Sequence, residues 1–146
     1  MKNRIEIATE RFDQGFSCAQ SVFAAFVAEN GLDEITAMNL TSGLGAGFGR
    51  AQEVCGAVSG AVLAIGLGCG RKAEDGRAVK EEAYALTREF MQRFKAAHGS
   101  CCCRELLGGL DLNAEGAHER MVAEGLRERV CGACVAGAVK LVEELL

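Results

Sequence analysis

The chain has 146 residues, of which 49% are hydrophobic and 25% are charged, and its formal net charge is −4. This length and composition predict one globular domain rather than a disordered chain. The negative net charge argues against nucleic acid as a partner, because a phosphate backbone is bound by clustered Lys and Arg. The longest uncharged run, residues 54–70, is shorter than a membrane span needs, so we expect no membrane-spanning segment.

Eight cysteines are many for a chain of this size. The first residues lack the apolar stretch of a secretory signal, so we expect a cytoplasmic protein in a reducing compartment. A permanent disulfide framework is therefore not expected. The cysteine count points instead to redox chemistry or to metal binding.

Apolar residues recur with the helical period along most of the chain, and no segment alternates with period two. Ser17 and Gln20 have the spacing of a capping box, and Gly31 is a stop signal for the helix that they open. We expect a flexible Gly-rich loop over residues 43–49. The sequence predicts an all-α, single-domain bundle (residues 1–146) of about six to seven helices. The segments with helical signals are 5–12, 17–31, 33–40, 52–67, 73–98, 100–107, 113–127 and 131–145.

Two glycines four residues apart, Gly56 and Gly60, leave a bare strip on one face of the fourth predicted segment. Glycine weakens a helix, so tertiary packing must compensate for the loss. We expect another helix backbone to approach this strip closely.

Four cysteines lie near predicted helix starts, with Cys18, Cys103 and Cys131 in a first turn and Cys55 within a turn of one. The N–H groups and partial positive charge of a helix start favour the thiolate, which is the nucleophilic and metal-binding form. Free cysteine is otherwise a small buried hydrophobe. That simpler interpretation suffices for Cys69 and Cys134.

Cys131 and Cys134 also form a Cys-x-x-Cys pair, but the βαβ pattern of a thioredoxin-like site is missing. Helical hydroperoxidases with such a pair have a His where this chain has Ala138. A zinc fold built from two close-spaced ligand pairs is disfavoured, because only one pair exists. Four distant cysteines gathered by the fold remain a candidate site for zinc or an iron–sulfur cluster.

These cysteines and their neighbours resemble the C_GCAxxG_C_C family of redox-active proteins. The matching features are Cys18, the block Cys55-Gly56-Ala57-Val58-Ser59-Gly60, Gly45 to Arg50 before it, Cys103-Arg104-Glu105-Leu106-Leu107-Gly108, and Cys131 followed by Val135 and Ala138. The resemblance covers residues 16 to the C-terminus and implies a small helical protein with four shared cysteines. The cysteine region is also similar to part of the split-Soret cytochromes, which carry an iron–sulfur centre. The chain has no Cys-x-x-Cys-His for a c-type haem.

We therefore predict a redox-active protein in which Cys18, Cys55, Cys103 and Cys131 are the catalytic residues. It would act by dithiol–disulfide cycling or electron transfer, and Cys55 with Cys131 is the predicted pair. The alternative is a protein that binds zinc or an iron–sulfur cluster with the same four cysteines as ligands. The sequence leaves the cofactor, the redox partner or small oxidant, and the roles of Cys101 and Cys102 open. Small-residue helix faces are compatible with a homodimer.

Overall fold

The computed structural model describes residues 1–146, and 72% of them are helical with no strands. The predicted all-α bundle is confirmed, with eight helices where about six to seven were expected. The helices are α1 (Arg4–Asp13), α2 (Cys18–Val27), α3 (Glu34–Thr41), α4 (Gly56–Cys69), α5 (Arg77–His98), α6 (Cys103–Leu106), α7 (Ala117–Ala123) and α8 (Ala133–Leu145). None of them is both long and apolar enough to cross a membrane.

The first three helices begin at side-chain caps. The predicted capping box is present at the start of α2, where the Ser17 hydroxyl accepts from the Gln20 N–H and the Gln20 side chain accepts from the Ser17 N–H. Asn3 forms the same kind of box at α1, and the Asp33 side chain caps α3 by accepting from the Thr36 N–H. Each cap satisfies N–H groups that have no partner within the helix, which fixes where the helix starts.

Several predicted boundaries are wrong. α4 begins at Gly56 rather than Gln52, and α5 begins at Arg77 rather than Ala73. Residues 113–127 were predicted to form one helix, but the α-helix there is limited to α7. It is limited because Gly116 and Gly125 adopt positive φ on either side of α7, and a π turn begins at Arg127. Ser100 does not cap α6, since its hydroxyl accepts from the Cys102 N–H.

The main core is built around α2 and α4, which pack together more extensively than any other pair. The strip formed by Gly56 and Gly60 faces α2, where a Cβ on Gly60 would lie 2.7 Å from the Ala19 carbonyl oxygen. The expected close approach therefore occurs, and it brings the start of α2 beside the start of α4. α5 and α8 close the core with buried Phe90, Phe94 and the apolar face of α8.

A second, smaller cluster of buried residues lies outside the main core. It consists of Cys103, Leu107, Leu110, Ala117 and Leu126. Cys131 packs against both clusters. The two clusters therefore meet at a cysteine.

Residues 43–49 were expected to form a flexible loop, but residues 46–50 instead form an ordered left-handed turn. Ala46, Gly47, Phe48, Gly49 and Arg50 all have φ between +54° and +68°. The Gly49 N–H donates to the Gly45 carbonyl, and the Glu53 N–H donates to the Gly47 carbonyl. A left-handed conformation costs free energy at each non-glycine residue, so the surrounding contacts must hold this turn in place.

Candidate functional site

A cavity of about 940 Å³ lies between the main core and the smaller cluster. Five of the eight cysteines line it. They are Cys18, Cys55, Cys103, Cys131 and Cys134. The structure thus brings all four cysteines predicted from the sequence to one cavity and adds a fifth.

Cys18 and Cys55 come from the two helices that pack against the glycine strip. Cys18 is the first residue of α2, directly after its cap, and Cys55 is the N-cap residue of α4. A Cβ on Gly56 would lie 3.2 Å from the Cys18 Cβ. The absence of a side chain at Gly56 is what leaves room for Cys18 beside Cys55.

Cys103 is held beside Cys55 by a short antiparallel bridge between Val54 and Cys102. The Cys55 N–H donates to the Cys101 carbonyl at 2.8 Å, and the Cys103 N–H donates to the Glu53 carbonyl at 2.7 Å. The bridge is too short to leave a strand pattern in the sequence. It holds Cys55 and Cys103 next to each other at the cavity.

Cys131 lies in a π-helical turn, Arg127–Gly132, that runs directly into α8. The prediction that Cys131 occupies the first turn of a helix is therefore wrong, since helical backbone continues on both sides of it. π turns recur at functional sites because the wider turn redirects a side chain. Arg127 anchors this turn by donating to the Phe12 and Phe16 carbonyls and by lying 3.7 Å from the centre of the Phe12 ring.

The cavity thiols lie in two pairs, Cys18 with Cys131 and Cys55 with Cys134, and hydrogen bonding within each pair moves the two pKa values in opposite directions. The bond from the Cys18 thiol lowers the pKa of Cys131 and raises that of Cys18 well above its ordinary value. Burial and the nearby Cys55 charge act against this lowering, and the Arg127 charge assists it. Because the thiolate is the nucleophile, Cys131 is the more reactive member of its pair.

In the second pair, the bond from the Cys134 thiol lowers the pKa of Cys55 to about 7. The backbone N–H groups of Ala57 and Val58 assist, as expected for an N-cap, while burial opposes them. The same bond raises the pKa of Cys134, and burial and the Cys55 charge add to the rise. Each pair therefore joins one acidified thiol to one that keeps its proton.

The remaining cysteines differ from these pairs. Burial, followed by the charges of Cys55, Cys131 and Cys102, raises the pKa of Cys103 to about 12. The Cys101 and Cys102 thiols donate to the carbonyls of Met91 and Gln52, and neither lines the cavity. Cys69 lies outside the cavity at the end of α4, where its thiol donates to the Ile65 carbonyl.

Sequence reasoning missed two residues of the cavity wall. Cys134 was interpreted as a buried hydrophobe, and it is only 2% exposed, yet it contacts Cys55. Its position in the Cys-x-x-Cys pair was the signal that could have found it. His118, which was not assigned a role, also lines the cavity although it is largely exposed.

The same side chains bear on the predicted alternative of a zinc or iron–sulfur site. No group of three or more His, Cys, Asp or Glu side chains is placed so that it could hold a metal ion. The thiols as they stand form pairs rather than a ligand set of four. As placed, these side chains do not fit a zinc ion or an iron–sulfur cluster.

Comparison with protein families bears on the same cysteines. The model of a family described as "Putative redox-active protein (C_GCAxxG_C_C)" matches residues 16–145, which is most of the chain. The chain belongs to the C_GCAxxG_C_C family. Comparison with curated proteins and with solved structures gives no match.

Family membership confirms the resemblance seen in the sequence. The family's description supports redox activity in general and names no mechanism. Cys134 is an addition to the four cysteines that the family resemblance implies. The Cys18–Cys131 pair of this C_GCAxxG_C_C protein therefore consists only of cysteines that the resemblance implies are shared. The other pair joins one such cysteine, Cys55, to Cys134.

The different pKa values of Cys55 and Cys103 predict different alkylation profiles with pH. Since only the thiolate reacts, the iodoacetamide rate at Cys55 should rise through pH 7 and level off about two units higher. The rate at Cys103 should still be rising at pH 10, because its pKa is about 12. Peptide mapping after timed alkylation measures both rates in one sample.

The variant Cys134→Ala supplies the control, because it removes the hydrogen bond that lowers the pKa of Cys55. The Cys55 profile should then move to higher pH. Identical profiles for Cys55 and Cys103, both centred near the ordinary thiol value of about 8.5, would contradict the assignment.

Proposed function

We propose that this chain carries out thiol–disulfide redox chemistry in the cavity, with Cys131 as the attacking thiol and Cys18 as the resolving thiol. The observation that supports this most directly is that Cys18 and Cys131 lie together on the cavity wall, where their interaction lowers the pKa of Cys131 and raises that of Cys18. Both cysteines are half-buried, whereas Cys55 and Cys134 are 6% and 2% exposed. A substrate that enters the cavity therefore reaches the Cys18–Cys131 pair more readily.

The proposed reaction begins when the Cys131 thiolate attacks one sulfur of a disulfide. A Cys131 mixed disulfide forms, the substrate S–S bond breaks, and the first substrate thiolate takes up the proton of Cys18. The Cys18 thiolate then attacks the Cys131 sulfur, which releases the second substrate thiolate. The second substrate thiolate takes up a proton from solvent, which balances the proton that Cys131 released on ionising. The protein dithiol loses two electrons to become the Cys18–Cys131 disulfide, and the substrate disulfide is thereby reduced to two thiols.

The pair predicted from the sequence, Cys55 with Cys131, is replaced in this proposal. Cys55 has Cys134 as its hydrogen-bond partner, and its charge raises the pKa of Cys131 instead of stabilising the Cys131 thiolate. Two thiolates in one cavity repel each other, so the two acidified thiols are poor mutual partners. Cys55 and Cys134 would instead form a second, deeper dithiol.

The test is disulfide mapping on protein purified without air, after exposure to 2-hydroxyethyl disulfide. We expect a reversible Cys18–Cys131 disulfide in the unaltered chain. The variant Cys18→Ser should stop at a mixed disulfide on Cys131, because the resolving thiol is missing. The variant Cys131→Ser should lose the Cys18–Cys131 product entirely, since a hydroxyl does not replace a thiolate nucleophile.

Cys69→Ser serves as the matched control, because Cys69 lies outside the cavity. It should react as the unaltered chain does. Formation of the mixed disulfide at an unchanged rate in Cys131→Ser would refute Cys131 as the attacking thiol. A native mass that exceeds the chain by zinc, or by iron and sulfide, and that returns to the bare chain in Cys131→Ser would favour the metal alternative.

A further inference from the structure

We propose that the substrate is a small disulfide that carries carboxylates, and that Arg50 at the cavity binds one of these carboxylates. This inference rests on the proposed thiol–disulfide function and names the substrate class for the same site. The step is the one already written, in which the dithiol of Cys18 and Cys131 gives two electrons to the disulfide and two carboxylate-bearing thiols leave.

The position of the thiols favours a small substrate over a disulfide of another protein. Cys18 and Cys131 are half-buried in the cavity wall, beside three cysteines that are at most 8% exposed. A protein disulfide must meet an attacking thiol at a surface, whereas a small molecule can enter the cavity. The volume of about 940 Å³ is within the range of small-molecule sites in proteins.

The charges at the cavity favour an anionic substrate. Its wall contains Arg50, Arg127 and His118 but only one acidic residue, Glu128. The whole chain carries a net charge of −4, so the charge of the cavity wall is opposite in sign to that of the chain. Positive charge at a cavity concentrates anions and repels cations.

Arg50 is the basic group that is free to bind a ligand. It makes no ion pair and no side-chain hydrogen bond within the chain, and it is exposed. Arg127 is already engaged with Phe12 and Phe16. A guanidinium group suits a carboxylate because it can donate two parallel hydrogen bonds.

The backbone at Arg50 is held in an unfavourable conformation that places this side chain at the cavity. Arg50 has φ +68° and ends the left-handed turn. Its carbonyl accepts from the Asn113 side chain at 2.9 Å, which ties the turn to the segment that follows Leu112 of the cavity wall. A side chain on a fixed backbone loses less freedom when it binds, which favours recognition.

The test uses three small disulfides of similar size and different charge: 3,3′-dithiodipropionate, 2-hydroxyethyl disulfide and cystamine. Each is reacted with the air-free protein, and formation of the Cys18–Cys131 disulfide is followed. In Arg50→Gln, the rate ratio of the anionic to the neutral disulfide should fall about tenfold, as expected for loss of one charged hydrogen bond. The ratio of the cationic to the neutral disulfide should rise. Each rate ratio is compared between the variant and the unaltered chain, so differences in the intrinsic reactivity of the three disulfides cancel.

Arg88→Gln is the control, because Arg88 is exposed on α5, lies outside the cavity and changes the net charge equally. It should leave both ratios unchanged. Equal ratios in Arg50→Gln and the unaltered chain, or the same fall in Arg88→Gln, would overturn Arg50 as the carboxylate-binding residue. Reduction of insulin disulfides as fast as dithiodipropionate would overturn the small substrate. If none of the three disulfides oxidises the unaltered chain, the proposed function itself fails, and this inference with it.

Discussion

Replacing Gly47 with alanine is expected to destabilise the protein by about 3 kcal/mol, because two costs act at one position. Gly47 has φ +66°, where a Cβ atom is disfavoured. A Cβ there would also lie 2.5 Å from the Glu53 nitrogen and 2.7 Å from two backbone atoms of Gln52. These are backbone atoms, so no side-chain rotation can relieve the clash. The midpoint of urea unfolding, with the slope checked for constancy, measures the loss.

Gly49 offers a matched control within the same turn. Its φ is +61°, and a Cβ built on it has nothing within 4 Å. Gly49→Ala therefore isolates the cost of the left-handed conformation, about 1–2 kcal/mol. If Gly47→Ala is no more destabilising than Gly49→Ala, the turn does not pack against residues 52–53 as described.

The clash at Gly47 also concerns the site, because the turn sets the position of Glu53. The Glu53 carbonyl accepts from the Cys103 N–H, and the Glu53 N–H donates to the Gly47 carbonyl. A shift of the turn would therefore move one side of the bridge that holds Cys103 beside Cys55. We expect Gly47→Ala to disturb this bridge as well as the stability, whereas Gly49→Ala should lower the stability and leave the bridge in place.

The helices that the sequence predicted well are those whose signals are local. The Ser17–Gln20 box sets the start of α2 through bonds within four residues, and the apolar stripe of α5 faces a single core. Such signals are complete within one segment, so a single sequence contains them. The gathering of Cys18, Cys55, Cys103 and Cys131 was predicted from the family resemblance and from their places in the chain, not from packing.

What the sequence could not show depends on contacts between distant segments. The left-handed conformation of Ala46 and Arg50 is unfavourable for each residue alone and persists because the bridge and Asn113 hold the turn. The π turn at Cys131 likewise follows from the anchoring of Arg127 on Phe12. In the sequence, Cys134 cannot be distinguished from other residues on the apolar face of α8, and only its contact with Cys55 in the fold identifies it.

Replacing Gln52 with leucine is expected to cost about 3 kcal/mol, because it leaves one buried and one half-buried backbone group without partners. Gln52 is 2% exposed and has φ +59°. Its side-chain amide donates to the Leu110 carbonyl at 2.7 Å and accepts from the Leu112 N–H at 2.8 Å. Leucine has a similar size and, like glutamine, would have to adopt positive φ at this position. The change therefore isolates the two hydrogen bonds. Urea unfolding gives the stability.

The same substitution should open the cavity wall that Leu107 and Leu112 form, because the Gln52 amide is what ties residues 110–112 to the left-handed turn. Faster amide hydrogen exchange at residues 107–112 and faster alkylation of Cys103 are the expected signs. Asn113→Ala is the comparison, since it removes an exposed bond to the Arg50 carbonyl from the same loop and should cost under about 1 kcal/mol. Equal stability of Gln52→Leu and the unaltered chain would mean that the wall is held by apolar packing alone.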